Sequence, residues 1–191
     1  MKEPRPLGKR TLARMVACGV LYEMDITGDG ANAALESVSR MLREGVSEEP
    51  SPPDEITEVA REQVRFSLGG EACIDELTSF GAESFSYPEE MPDFARELVY
   101  LYLANREEID GLIRSYADRW SLERMPAVDR NLLRLGIAEL LHRPDIPANV
   151  TINEYLELAK AFSTEDSGKF VNGVLGSVAR DHAGAGGDGK P

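Results

Sequence analysis

The sequence predicts an all-α fold, and three observations carry that expectation. Apolar residues recur at three-and-four spacing through residues 9–45 and 92–181, the period of an amphipathic helix. Prolines, glycines and short hydroxyl or acidic side chains fall between those stretches, where helices stop and start. No alternating apolar-polar run and no hairpin signal is strong enough to assert a sheet. With 191 residues, 42% hydrophobic and 29% charged, the chain is long enough to bury a core, which excludes disorder as a whole.

The first helix spans Lys9 to about Asp25. Leu12, Ala13, Val16, Ala17, Val20 and Met24 form its core stripe, and Arg10, Arg14, Cys18 and Tyr22 form a second stripe, basic at first and aromatic later. A turn over 25–30 leads to a second helix carrying Leu35, Val38, Met41 and Leu42, which ends near Gly45. Pro50, Pro52 and Pro53 mark a linker, and Gly69, Gly70, Gly81 and Pro88 interrupt the stretch between that linker and residue 91. From Pro92 the periodicity is strong again, through Phe94, Leu98, Leu101 and Tyr102, then Ile109, Leu112, Ile113, Tyr116 and Trp120, in two helices joined near Asn105.

Met125 and Pro126 open the next helix, whose apolar residues from Val128 to Leu141 cover most of the circumference and predict a central position. Pro144 and Pro147 end it, because each lacks a backbone donor and pushes the preceding residue out of helical geometry. Thr151 and Glu154 read as a capping box ahead of Tyr155, Leu156, Ala159 and Phe162. A second start follows at 163–166, with Val171, Val174, Leu175 and Val178 as the last stripe before a tail over 182–191 expected to be disordered.

The net charge is −13, unlike the basic balance of a dedicated nucleic-acid binder, but the charge is unevenly placed. Residues 1–15 hold five basic side chains against one acid, and residues 45–93 hold thirteen acids against Arg61 and Arg65. By charge alone the basic start reads as a solvated tail or as a local cationic surface, and the acidic stretch as a solubilising insertion. No apolar run is long enough to span a membrane and the N-terminus lacks a signal-peptide pattern, so a cytoplasmic protein is expected, with Cys18 and Cys73 as reduced packing residues.

Neither His142 nor His182 has cysteine or carboxylate neighbours at metal-ligand spacing, so no metal site is expected. Phosphate-binding loops, dinucleotide fingerprints and nucleophile elbows are missing from the sequence. Glu139 and Glu154 sit among apolar residues, but pairing of Glu139 with Arg143 and capping by Glu154 account for both without catalysis. The segment 165–172 asks for more. Phe170 lies one position off the last apolar stripe, beside Lys169 and close to Asn172. It reads either as an ordinary core residue, with Asp166 capping and Asn172 packing, or as an accessible ring that stacks a base while Lys169 neutralises phosphate and Asn172 reads a base edge.

These residues resemble the NusB-type transcription antitermination factors. The resemblance rests on Arg14 to Tyr22, on 129–135 with Glu139 and Leu140, and above all on Ile146-Pro147, 152–154, 158–160 and 169–175. It covers about residues 7–45 and 92–181 of a single domain spanning 7–181, and leaves the acidic 46–91 block looking like an insertion. It implies an all-helical fold of two packed three-helix subdomains and a protein without enzymatic activity or cofactor. It also implies pairing with NusE, a small-subunit ribosomal protein, and joint binding of the boxA element in nascent ribosomal RNA, with the RNA polymerase elongation complex engaged indirectly. The family's RNA surface maps onto the basic start of the first helix, here Lys9, Arg10 and Arg14, and onto Asp166, Lys169, Phe170 and Asn172, with Tyr116 near the RNA and Tyr22 at the NusE contact.

Two other readings belong to different classes. NusB-like domains also precede RNA cytosine methyltransferases, but residues beyond 181 are expected to form only a tail, too short for the α/β segment that such an activity needs. A helical interaction or dimerising scaffold without RNA binding keeps the fold and gives the acidic stretch the central role.

Overall fold

A computed structural model describes residues 8–44, 91–117, 120–163 and 165–182. The acidic block 46–91, apart from Met91, lies outside the described residues, as do the residues ahead of Gly8 and the tail beyond His182. The described residues form seven α-helices and one 3-10 helix, and contain no strand. The chain divides into two units, residues 1–99 and 100–191.

In the first unit, α1 (Lys9–Thr27) is buried around most of its circumference from Ala13 to Leu21, so Met15, Cys18 and Leu21 join the expected stripe. It stops where Gly28 takes φ +75°, a left-handed conformation that costs glycine little, and the Gly28 N–H bonds back to the Met24 carbonyl. The Thr27 hydroxyl donates to the Glu23 carbonyl and accepts from the Asp29 N–H, tightening that turn. Helix α2 (Ala31–Glu44) packs against α1 with Ala34, Leu35, Val38 and Leu42 buried, as the spacing predicts. Helix α3 (Asp93–Ala104) starts behind Pro92, whose carbonyl accepts from Arg96, and buries Ala95, Leu98 and Val99.

The unit boundary falls after Val99, so the end of α3 belongs to the second unit. The Asn105 side-chain amide caps the α3 carbonyl of Leu101 at 2.9 Å, and α4 (Arg106–Tyr116) follows at once with Glu107 and Glu108 in its first turn, where acids favour the helix dipole. The 3-10 helix Leu122–Arg124 leads to α5 (Ala127–His142), then come α6 (Ala148–Phe162) and α7 (Glu165–His182). Every residue of α5 from Asn131 to Glu139 is buried, which bears out its central position. Helices α5, α6 and α7 pack on one another, and Gly136 leaves room for side chains of the other two. A methyl group there would lie 2.9 Å from the Leu175 methyls and 3.3 Å from the Tyr155 ring.

A helix buried all round must satisfy its own polar residues, and α5 does so across helices. Arg134 donates through Nε and Nη2 to the two carboxylate oxygens of Asp110 on α4, at 3.0 and 3.2 Å, and through Nη1 to Asn131 at 3.0 Å. Its guanidinium also lies 5.1 Å from the Tyr102 ring centre. Glu139 accepts from the Thr151 hydroxyl at 2.8 Å and the Tyr155 hydroxyl at 3.2 Å, and the Arg143 guanidinium grips Asp145 through two 2.8 Å bonds. The expected capping box is corrected by the same bond. Helix α6 starts at Ala148 directly behind Pro147, so Thr151 is inside the helix and its hydroxyl is directed to Glu139. The Ser167 hydroxyl donates to Asp129 at 2.8 Å and meets the Ser163 hydroxyl at 2.9 Å, tying the start of α7 to α5.

Burial beside this network, with Asp110 adding to the effect, pushes the Tyr102 hydroxyl up to about 12, even though Arg134 opposes the shift. Below pH about 10 the phenol is neutral in folded and unfolded chains and adds no pH dependence. As pH rises from about 10 to about 12, only the unfolded chain releases the proton, so stability falls. We expect this residue to contribute a loss of up to about 2 kcal/mol across that window, discounted for partial solvation. Urea unfolding at both ends of the window, compared with Tyr102→Phe, isolates it; an equally steep alkaline loss in the variant rules the effect out.

Candidate nucleic-acid interface

The candidate residues divide between the two units. On α1, Lys9 and Arg10 are exposed in the first turn, and the Arg10 guanidinium lies 5.5 Å from the centre of the Phe94 ring. Arg14, one turn on, is 2% exposed, with its guanidinium 5.4 Å from the same ring centre. Phe94 is therefore half-buried under two cations rather than set into the core, and the energy gained is of the cation-π kind, about 1 kcal/mol for the exposed Arg10 and about 2 kcal/mol for the covered Arg14. Arg14 is the residue of the predicted set that the structure does not place at the surface. A guanidinium so covered does not reach a phosphate without repacking. Tyr22 is half-buried two turns further on, and burial, with Cys18 nearby, raises its hydroxyl above the ordinary phenol value. Cys18 is buried, in keeping with a packing role.

In the second unit the remaining residues lie on α7 and at the end of α4. Asp166 and Lys169 are exposed and form an ion pair at 3.1 Å across one helical turn. Such an exposed pair contributes about 0 to 1 kcal/mol, so a phosphate can compete for the ammonium. Asn172 is exposed, and Phe170 is half-buried at the rim of the stripe formed by buried Val171, Val174, Leu175 and Val178. Eleven residues after Phe170, or about 16 Å along the same side of the helix, Asp181 accepts a 2.7 Å bond from the Tyr116 hydroxyl. That bond is the main cause of the raised Tyr116 hydroxyl, since donating it requires the proton.

Trp120 is the residue that periodicity misplaced. Four residues after Tyr116 it fits the core stripe of α4, but the helix ends at Tyr116 and Trp120 lies beyond it, 51% exposed. Its ring stands 6.0 Å from that of Phe170, inclined by 36°. Spacing alone carries no signal for this, because a residue at i+4 looks the same whether or not the helix reaches it. The buried polar set on α5 had such a signal: Asp129, Asn131, Arg134 and Glu139 are polar residues within a helix whose apolar residues cover most of its circumference. Among the described residues no cluster of three metal-ligating side chains occurs, and no helix is long and apolar enough to cross a membrane.

The model of the NusB family matches residues 58–180. The chain belongs to the NusB family. The match takes in much of the acidic 46–91 stretch. Among relatives called transcription antitermination protein NusB, that of Geobacter sp. (strain M21) is 35% identical over 170 residues, covering 89% of this chain and 93% of its own length. The NusB of Heliobacterium modesticaldum is 57% identical over 102 residues, and the match spans 53% of this chain and half of that relative's length. The solved T. maritima NusB superposes with a TM-score of 0.59 at 29% identity, covering 94% of this chain and 95% of its own. The NusB fold is shared as well by a solved complex of NusB and NusE with double-stranded RNA, at TM-score 0.58 and 24% identity over 90% of this chain and 96% of that one.

Proposed function

We propose that this chain is a cytoplasmic transcription antitermination factor that pairs with NusE, binds boxA-type RNA in nascent ribosomal RNA and so supports processive transcription by the RNA polymerase elongation complex. The observation that carries this reading is the ring of Phe170, half-buried at the rim of α7, with exposed Lys169 next to it in the chain and exposed Asn172 two positions on. Such a ring offers a stacking plane, the ammonium a phosphate contact and the amide a partner for a base edge. The family's relatives bear the antitermination name, and a complex of NusB, NusE and RNA has this fold, which supports the choice of partners.

The residues take separate roles. Lys9 and Arg10 meet phosphate at the start of α1, Tyr116 and Asp166 border the RNA on the second unit, and Tyr22 contributes to the NusE contact. Arg14 orders Phe94 beneath Arg10 rather than touching RNA itself. The role requires neither bound metal nor cofactor and no catalysis by this chain. The net charge of −13 opposes RNA, but ordinary salt screens charges beyond about 8 Å, so local cations decide, and NusE adds positive surface.

The test is a salt titration of binding to boxA RNA with and without NusE. The pair is expected to bind much more tightly than this chain alone, and Arg10→Ala to weaken binding and to reduce the slope of log affinity against log salt by about one. Absence of RNA binding by the pair at low salt sinks the proposal.

A further inference from the structure

We infer that Trp120 is a base-stacking residue of the RNA surface, with Phe170 as the support that holds the indole in place. This rests on the RNA-binding reading above and adds to it a contact outside the α7 segment. The indole is half exposed, at 51%, yet it is not loose, because its ring is backed by Phe170 at 6.0 Å. A large aromatic held on one side and open on the other is a stacking platform, and every base has a face to place on it.

The charges around it favour a nucleotide over an apolar protein surface. Lys169 neighbours Phe170 and is held by Asp166 at 3.1 Å. Three residues past Trp120, Glu123 holds Arg114 of α4 at 3.7 Å, with both side chains more than half exposed. Each cation is held by a solvated carboxylate, a weak attachment that a phosphodiester can replace. An unstacked base on the indole with its phosphates drawn to Lys169 and Arg114 uses all of these features. A protein partner that covered the indole together with these pairs would have to desolvate both of them.

Trp120 is the chain's single tryptophan, so a spectroscopic probe placed there reports one site. The chain is labelled with fluorotryptophan and mixed with unlabelled NusE, and its fluorine resonance is followed while boxA RNA is added. Binding is measured in parallel by anisotropy of end-labelled RNA. The expected result is that RNA shifts the resonance, NusE alone does not, Trp120→Ala weakens RNA binding about 5-fold to 150-fold with little change in salt slope, and Trp120→Tyr restores most of it. RNA that binds with parental affinity to Trp120→Ala and leaves the parent's resonance in place overturns the assignment of Trp120 alone, and the RNA-binding reading survives. A resonance shifted by NusE without RNA gives the surface to the protein partner and also overturns it. If anisotropy detects no RNA binding by the parent pair, both fall together. The resonance is read on the parent protein, so the outcome stands even if Trp120→Ala fails to fold.

Discussion

Asp110→Ala is expected to destabilise the protein by about 3 to 5 kcal/mol, a large share of the stability of a domain this size. The carboxylate is 5% exposed and receives both the Nε and Nη2 hydrogens of Arg134, itself 5% exposed, within α4 and α5 of the second unit. Its removal leaves a guanidinium in a site that water scarcely reaches, with Asn131 and the Tyr102 ring as its remaining named neighbours. Neither supplies a negative charge. Arginine does not discharge, so the cost appears as lost folding energy or as local opening that lets water in. The exposed Arg106, 3.9 Å from the same carboxylate, loses far less. Replacing the pair together, Asp110→Leu with Arg134→Met, is expected to recover most of the loss, because the greater part of the penalty belongs to the stranded charge. Denaturant unfolding of the two single variants and the double variant measures this. A cost below about 1 kcal/mol for Asp110→Ala contradicts the buried-pair account.

Phe170→Ala is expected to weaken boxA RNA binding by the pair with NusE by about 1 to 3 kcal/mol, leaving the salt slope nearly unchanged. The ring is uncharged, so its loss removes stacking surface without removing a counterion-releasing contact. It also takes away the support of Trp120 at 6.0 Å, so one substitution disturbs two platforms. Phe170 is half-buried beside the stripe that packs α7, and a folding defect would imitate a binding defect. Phe170→Leu separates the two: it keeps apolar volume against Val171 and Val174 but offers no aromatic plane. Helical circular dichroism retained by both variants, together with lost affinity in both, assigns the effect to stacking. Parental affinity in folded Phe170→Ala would falsify the proposed surface.

The helices were legible because burial imposes a period. Leu35, Val38 and Leu42 on α2, or Val171, Val174, Leu175 and Val178 on α7, face inward because water penalises apolar surface wherever it is exposed, and 3.6 residues per turn translates that penalty into spacing. The centrality of α5 was legible for the same reason. Less of the candidate surface was. Arg14 shares a stripe with exposed Arg10, yet it is covered, with Phe94, distant in sequence, beneath its guanidinium. Glu139 has a threonine twelve residues on and a tyrosine sixteen residues on, and both bond to it because α6 packs on α5.

From its sequence alone this protein was bound to be helical, to interrupt its helices near Gly28, Asn105 and Pro144, and to hold an off-stripe Phe170 beside Lys169, since propensity, period and neighbour identity are local properties. Only the tertiary structure decided that α4 stops before Trp120, that the indole then rests on Phe170, and that Asp110 meets Arg134. Those pairings join residues 50 and 24 positions apart, and their energy depends on whether two separate helices bring the side chains within a few ångströms, a distance that periodicity along one helix does not encode.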